Sequence, residues 1–304
     1  MGMNHLLQQL SDLLLNIGIF IVIGYGGICI FLLMRQRWFI FFPSRVIEKT
    51  PAELNLPYQD VRLPVTSKLG KTEKIHGWWM KSSKQNAPVL LYLHGNGLNI
   101  SANINHSKRF YELGFSVLLI DYRGYGWSDG NFPREKSVYE DAMTGWNFLV
   151  KTQNILPENI IIYGHSLGGA IAIDLAIKQP KAAGVIVESS FTSILEMVTI
   201  QKRFSLFPVK LLLNQKFASI DKLPKLKIPI LFIHGTADST VPSFMSEKLY
   251  AVAPTPKSLI LAPGADHNNI ATTVGLEYLK WIQSFINQHL LVKYSREKGT
   301  ENRE

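Results

Sequence analysis

Three rhythms of apolar and polar positions divide this chain. From Leu13 to Met34 no residue carries a formal charge and most are apolar. As a helix that run spans about 33 Å, enough for the hydrocarbon core of a bilayer. Residues 43–57 are broken by Pro43, Pro51 and Pro57 and read as a connector. Beyond it, Asp60–Val65 and Ile75–Met80 suggest an antiparallel start to a sheet. After Pro88 short apolar runs recur at Val89–Leu93, Val117–Ile120, Ile160–Tyr163, Val185–Val187, Ile230–Ile233 and Leu259–Leu261. Short runs rich in Val and Ile are what strands buried on both faces look like. The stretches between them keep helical steps, as at Val138, Ala142, Trp146 and Leu149, or at Leu276, Leu279, Ile282, Ile286 and Leu290. The alternation predicts an α/β domain over residues 57–290, a mostly parallel central sheet with helices on both faces. Reactive residues of such sheets gather beyond the carboxyl ends of the strands. Residues 291–304 read as a polar, frayed tail, and no repeat of fixed period is present.

The apolar run at 13–34 reads as a retained transmembrane anchor behind an N-terminal flank, residues 1–12. A signal peptide wants positive charge ahead of a shorter run and a small-residue cleavage site. Here the flank has no Lys or Arg, and Arg-Gln-Arg-Trp-Phe follows the run. Arg35, Arg37, Arg45 and Lys49 all follow it, so the positive-inside rule predicts a single-pass protein with its C-terminal domain in the cytoplasm. Residues 35–56 form the expected interfacial connector, with Trp38, Phe39, Phe41 and Phe42 as an aromatic belt, unless some of these rings pack on the domain instead. Leu6 stands where a myristoylation signal needs Ser or Thr, so that modification is not expected.

Composition narrows the classes. The chain has 304 residues, 46% hydrophobic and 18% charged, which fits one large globular domain and excludes disorder. The net charge is +9, and subtracting the single acid of residues 1–34, Asp12, leaves +10 on the remainder. The positive residues are scattered, without an Arg-rich stripe or a nucleic-acid motif, so the expected partner is an anionic membrane surface and not nucleic acid. The single cysteine, Cys29, excludes an intramolecular disulfide framework and a cysteine-based metal site.

The chemistry lies at the strand ends. The run Ile160–Tyr163 leads directly into Gly164-His165-Ser166-Leu167-Gly168, and a helical stretch follows. This is Gly-x-Ser-x-Gly between strand and helix, the context of a nucleophile elbow. Gly164 and Gly168 are needed where side chains would collide, and the turn lifts the Ser166 hydroxyl above the sheet. A serine hydroxyl needs a base to take its proton and an acid to orient that base. Asp238 follows the next-to-last strand and His267 the last, in the order Ser, Asp, His. Asp266 and Asp221 are the alternative acids. Asp266 ranks lower because it adjoins the base in sequence, and adjacent side chains diverge. An acyl-transfer site also needs donors for the developing oxyanion. These are expected from the backbone N–H groups of Leu167 and of Asn96, in the turn His94-Gly95-Asn96-Gly97, with Gly97 as the fallback. His94 and His165 shape the site; with His234, they suit hydrogen bonds to loop backbone better than base chemistry.

The set HGNG, DYRGYGWSDG, GHSLGG, HGTADSTVP and GADHN resembles the α/β-hydrolase superfamily over about residues 57–290. With its N-terminal helix the chain is similar to the single-anchor α/β-hydrolase-domain serine hydrolases, a group that includes protein depalmitoylases. The resemblance implies a structural turn at Asp121–Gly126 and a lid at about residues 191–227. Asn269 departs from related members, which often carry an acid there. The apolar Phe204, Leu206, Phe207, Leu211, Leu212, Leu213 and Phe217 of the lid, beside Lys202, Arg203, Lys210 and Lys216, fit either a surface resting on a bilayer or ordinary packing. The expected activity is hydrolysis of a lipophilic carboxylic ester or thioester, with a lipid or a lipidated protein as the candidate substrate, and with no metal and no cofactor. Amide or peptide cleavage on the same residues, and a catalytically idle membrane-tethered interaction protein, are the alternatives.

Overall fold

The computed structural model describes residues 2–66, 72–202, 204–254 and 256–291. The expected tail from residue 292 onward, and Arg203 of the expected lid, lie outside the described residues.

The chain opens with α1, Gly2–Arg35, a single helix of 34 residues in which none is buried. It is long and apolar enough to cross a membrane. The helix starts well ahead of the expected span at Leu13, because the flank is rich in Leu, Met and Gln, all good helix formers. A short 3₁₀ turn at Gln36–Phe39 ends it. The aromatic residues that follow divide. Trp38, Phe39 and Phe42 are exposed, whereas Phe41 is buried edge-on against Phe217, 6.0 Å between centroids. The connector arginines also turn inward: Arg37 donates to Phe132 O at 3.2 Å and Arg45 to Gly130 O at 2.9 Å.

Eight strands form the central sheet: β1 Gln59–Thr66, β2 Thr72–Met80, β3 Val89–Leu93, β4 Ser116–Ile120, β5 Ile160–His165, β6 Gly184–Glu188, β7 Ile230–Gly235 and β8 Lys257–Ala262. Their spatial order is β8-β7-β6-β5-β3-β4-β2-β1. All pairs from β4 to β8 are parallel, and the β1–β2 hairpin closes one edge antiparallel, as the pattern predicts. Successive strand residues go to opposite faces. Leu91, Leu93, Ile162 and Val187 join the core beneath α3 (Glu135–Asn147) and α4 (Leu167–Lys178). Leu90, Tyr92, Tyr163 and Ile186 join the core beneath α2 (Ile104–Glu112) and α10 (Leu276–Ile286). Both faces are covered, which is why these strands read as unbroken apolar runs.

The segment between β6 and β7 carries three short helices, α5 Ile194–Gln201, α6 Val209–Leu212 and α7 Ser219–Lys222, and forms a small cap over the carboxyl end of the sheet. The turn after β4 is braced by Arg123, which donates to Asp141 at 2.6 Å, Glu140 at 2.7 Å, the Ser137 carbonyl at 3.1 Å and Glu73 at 3.4 Å. The remaining helices, α8 Phe244–Val252 and α9 Ile270–Thr273, follow β7 and β8.

Candidate active site

Ser166 stands between β5 and α4 with φ 54° and ψ −120°. A non-glycine residue there stores strain, held by a backbone bond from Ser166 N to Glu188 O at 2.8 Å and by Ser190 Oγ donating to Ser166 O at 2.8 Å. The turn closes only without side chains on either side. A Cβ on Gly164 would lie 2.1 Å from Gly168 O, and one on Gly168 would lie 2.0 Å from Leu93 O. Strand, turn and helix thus interpenetrate at backbone contact.

The three side chains expected at the strand ends come together. His267 Nε2 lies 3.0 Å from Ser166 Oγ, and His267 Nδ1 lies 2.8 Å from Asp238 Oδ2. The partners fix the tautomer: Nδ1–H donates to the carboxylate and Nε2 is left to accept from the hydroxyl. The other Asp238 oxygen accepts the backbone amides of Thr240 at 2.9 Å and Val241 at 2.7 Å. His234 Nε2 donates to Val241 O at 2.8 Å and lies 3.1 Å from Asp238 Oδ2. Burial alone would push the Asp238 carboxyl up. The hydrogen bonds from His234, His267 and the Val241 amide outweigh it and hold the group well below the usual carboxylate range.

The neighbouring residues divide by role. Asp266 turns away from His267 and accepts the amides of Ser239 at 2.9 Å and His267 at 2.8 Å, so it shapes the loop; Asp221 lies in α7. Asn269 Oδ1 accepts the Asp266 amide at 2.7 Å in the same loop. His165 Nε2 donates to the His267 carbonyl at 3.0 Å, and burial pushes its pKa down. His94 is fully buried, with Nδ1 donating to Gly95 O at 2.8 Å and its ring against Tyr122. Gly95 lies beside Ser166, where an added Cβ would come within 3.4 Å of the serine Cβ.

Asn96 and Leu167 line the same cavity as Ser166, and among the described residues no acceptor is seen for either backbone amide. Both are available to a developing negative oxygen. The Asn96 loop is strapped to the connector that leaves α1. Phe42–Pro43 pairs in parallel with Gly97–Leu98, Phe42 N donates to Asn96 O at 2.9 Å, and Asn96 Nδ2 donates to Ile40 O at 2.9 Å. Tyr125 adds a hydroxyl bond to Asn96 O at 2.7 Å. No local pattern announces this strap, because its two halves are far apart in sequence.

Two cavities meet at Ser166. One, of about 470 Å³, is walled by the cap and by the end of α1, and its lining is mainly apolar. The other, of about 900 Å³, is more polar and is lined by His165, His267, Glu188, Asn103, His106 and Arg109 among others. Thr240 borders both. A nucleophile between an apolar and a polar chamber can work on a molecule with one end of each kind.

The model of the family described as serine aminopeptidase, S33, matches residues 84–221, a span that includes Ser166 and most of the cap. An uncharacterized protein of Mycobacterium tuberculosis is 31% identical over 86% of this chain and 91% of its own length. The human alpha/beta hydrolase domain-containing protein 17B is 30% identical over 74% of this chain and 75% of its own. In structure, a Pyrococcus furiosus esterase superposes with a TM-score of 0.68 at 20% identity, covering 83% of this chain and 98% of that one. With the eight-stranded sheet and the strand–Ser166–helix turn, these likenesses establish that the chain belongs to the α/β-hydrolase superfamily of hydrolases.

Proposed function

We propose that this hydrolase is a membrane-anchored serine hydrolase that cleaves a lipophilic carboxylic ester or thioester by acyl transfer through Ser166. The carrying observation is the hydrogen-bonded line Asp238–His267–Ser166, at 2.8 and 3.0 Å, opening on an apolar chamber. In this reading His267 takes the Ser166 proton as the hydroxyl attacks the acyl carbon, and the Asn96 and Leu167 amides receive the oxyanion. His267 then protonates the leaving alcohol or thiol, and water repeats the sequence on the acyl-enzyme. Asp238 keeps the imidazole in the required tautomer and stabilises its protonated form.

The chamber's apolar lining supports an acyl chain as the bound group, and α1 supports residence in a membrane, with the positive flank after Arg35 on the cytoplasmic side. The substrate would then be a lipid ester or a lipidated protein. The aminopeptidase description of the matched family favours a second reading, amide cleavage on the same residues.

The test is a panel of long- and short-chain esters, thioesters and amides presented to the full-length chain in lipid, with fluorophosphonate labelling in parallel. Labelling lost in Ser166→Ala and turnover favouring long acyl chains fit the proposal. Turnover of short soluble esters alone would remove the lipophilic substrate, preference for amides would install the second reading, and absence of labelling would remove the nucleophile.

A further inference from the structure

The wall of the apolar chamber opposite the cap is not part of the sheet domain at all. It is built by Leu32 and Gln36 of α1 and its exit, followed by Phe39, Ile40 and Phe42. Between Gly18 and Gln36 the positions with reduced exposure are Gly26, Cys29, Leu32 and Gln36; every other residue is exposed. Steps of three, three and four mark one face of a helix. That face lies against the cap.

Polar contacts fix the seam. Tyr25 donates its hydroxyl to Leu206 O at 3.0 Å and stacks on Phe207 at 5.5 Å between centroids. Gln36 donates from Nε2 to Leu33 O at 2.9 Å and Leu212 O at 3.2 Å, and its Oε1 accepts the amides of Asn214 at 2.8 Å and Gln215 at 3.0 Å. Both donors and both acceptor sites of that carboxamide are used, which lets it sit buried beside an apolar chamber. Phe39 meets Phe204 of the cap edge-on at 5.8 Å. The same stretch of chain then straps the Asn96 loop.

We propose that α1 is a working wall of the acyl site as well as an anchor. An acyl chain held at Ser166 lies against α1 in the chamber, Leu32 and Phe39 set the chain length and shape that fit, and Gln36 is a positioning residue that holds the wall. This rests on Ser166 being the nucleophile of a lipophilic acyl substrate. It adds that specificity is written partly in the anchor, so a soluble domain cut from it would have an incomplete chamber.

The experiment uses the full-length chain in phosphatidylcholine vesicles, with palmitoyl and butyryl nitrophenyl esters as substrates. Leu32→Trp should fill the chamber and lower the palmitoyl-to-butyryl ratio of kcat/KM about tenfold or more. Leu32→Ala should move the ratio the other way. Gln36→Ala should raise KM for the palmitoyl ester several-fold more than KM for the butyryl ester. Leu14→Trp, on the exposed length of the same helix, should change nothing. A binding arm is independent of turnover: parinaric acid should bind Ser166→Ala in vesicles and bind the Ser166→Ala, Leu32→Trp double variant markedly more weakly. Equal fatty-acid binding by both, or a ratio insensitive to both Leu32 variants, would overturn the wall. Failure of the nucleophile reading would show differently, as hydrolysis surviving in Ser166→Ala.

Discussion

His267 Nδ1 meets Asp238 Oδ2 at 2.8 Å, while the second Asp238 oxygen is taken by the Thr240 and Val241 amides. Both oxygens therefore face donors, and no orientation of an amide suits the site. In Asp238→Asn the NH₂ group either opposes two backbone N–H groups or turns toward His267 and forces the wrong tautomer. The expected result is a fall in kcat of about 10⁴ on a short ester with the fold retained, checked by steady-state kinetics beside near-ultraviolet circular dichroism. A loss under tenfold would take Asp238 out of the relay.

Ser166 pays for its position with φ 54°, a conformation glycine adopts freely. Ser166→Gly should raise the unfolding free energy by about 1 kcal/mol as strain is released, while activity falls by a factor on the order of 10⁶. Urea unfolding and turnover on one preparation measure both. A variant less stable than wild type would mean that the turn is not strained.

The polar core beside the second chamber gives the stability a pH dependence. His106 bonds the Tyr92 hydroxyl at 3.0 Å and the Tyr278 hydroxyl at 3.1 Å. Burial pushes its pKa down to about 4, against an opposing pull from Glu188. The native state therefore holds this imidazole neutral where the unfolded chain would protonate it. Its contribution is complete above about pH 6.5 and is lost as pH falls toward 4. Between pH 7 and pH 4.5 wild type should lose about 2–3 kcal/mol of stability that His106→Asn does not lose. Urea titrations at the two pH values decide; parallel losses would refute it.

Arg123 is the hub of the turn after β4, and its partner Asp141 is wholly buried. Removing the guanidinium leaves that carboxylate without its cation, so Arg123→Met should cost about 3–5 kcal/mol. The double variant Arg123→Met, Asp141→Leu should cost less than the single one, because no buried charge is then stranded. Additive losses in thermal unfolding would show that the pair is not coupled.

The sheet was legible from the chain because burial on both faces removes alternation and leaves apolar runs, so Val89–Leu93 and Ile160–Tyr163 could be read directly as strands. The meeting of Ser166, Asp238 and His267 was legible for a topological reason: parallel strands put all their carboxyl ends on one rim. The start of α1 was not legible, since leucines and glutamines ahead of Leu13 extend a helix without marking its first turn. Phe41 looked like its exposed neighbours until Phe217 supplied a partner from the cap. Gln36 gave no signal of any kind. Its partners in the cap lie more than 170 positions away, and a glutamine between two arginines reads as a solvated residue.

Tyr25 and Gln36 grip the cap at two heights on one rod, about 16 Å apart. A rod in a bilayer answers to the thickness of its host by leaning, and a lean pinned at two heights is passed to whatever is pinned. For this enzyme, if it sits in a membrane as proposed, the lipid around it would be an adjustable part of the catalyst: the same chain in thinner and thicker vesicles should present chambers of different width, with turnover to match.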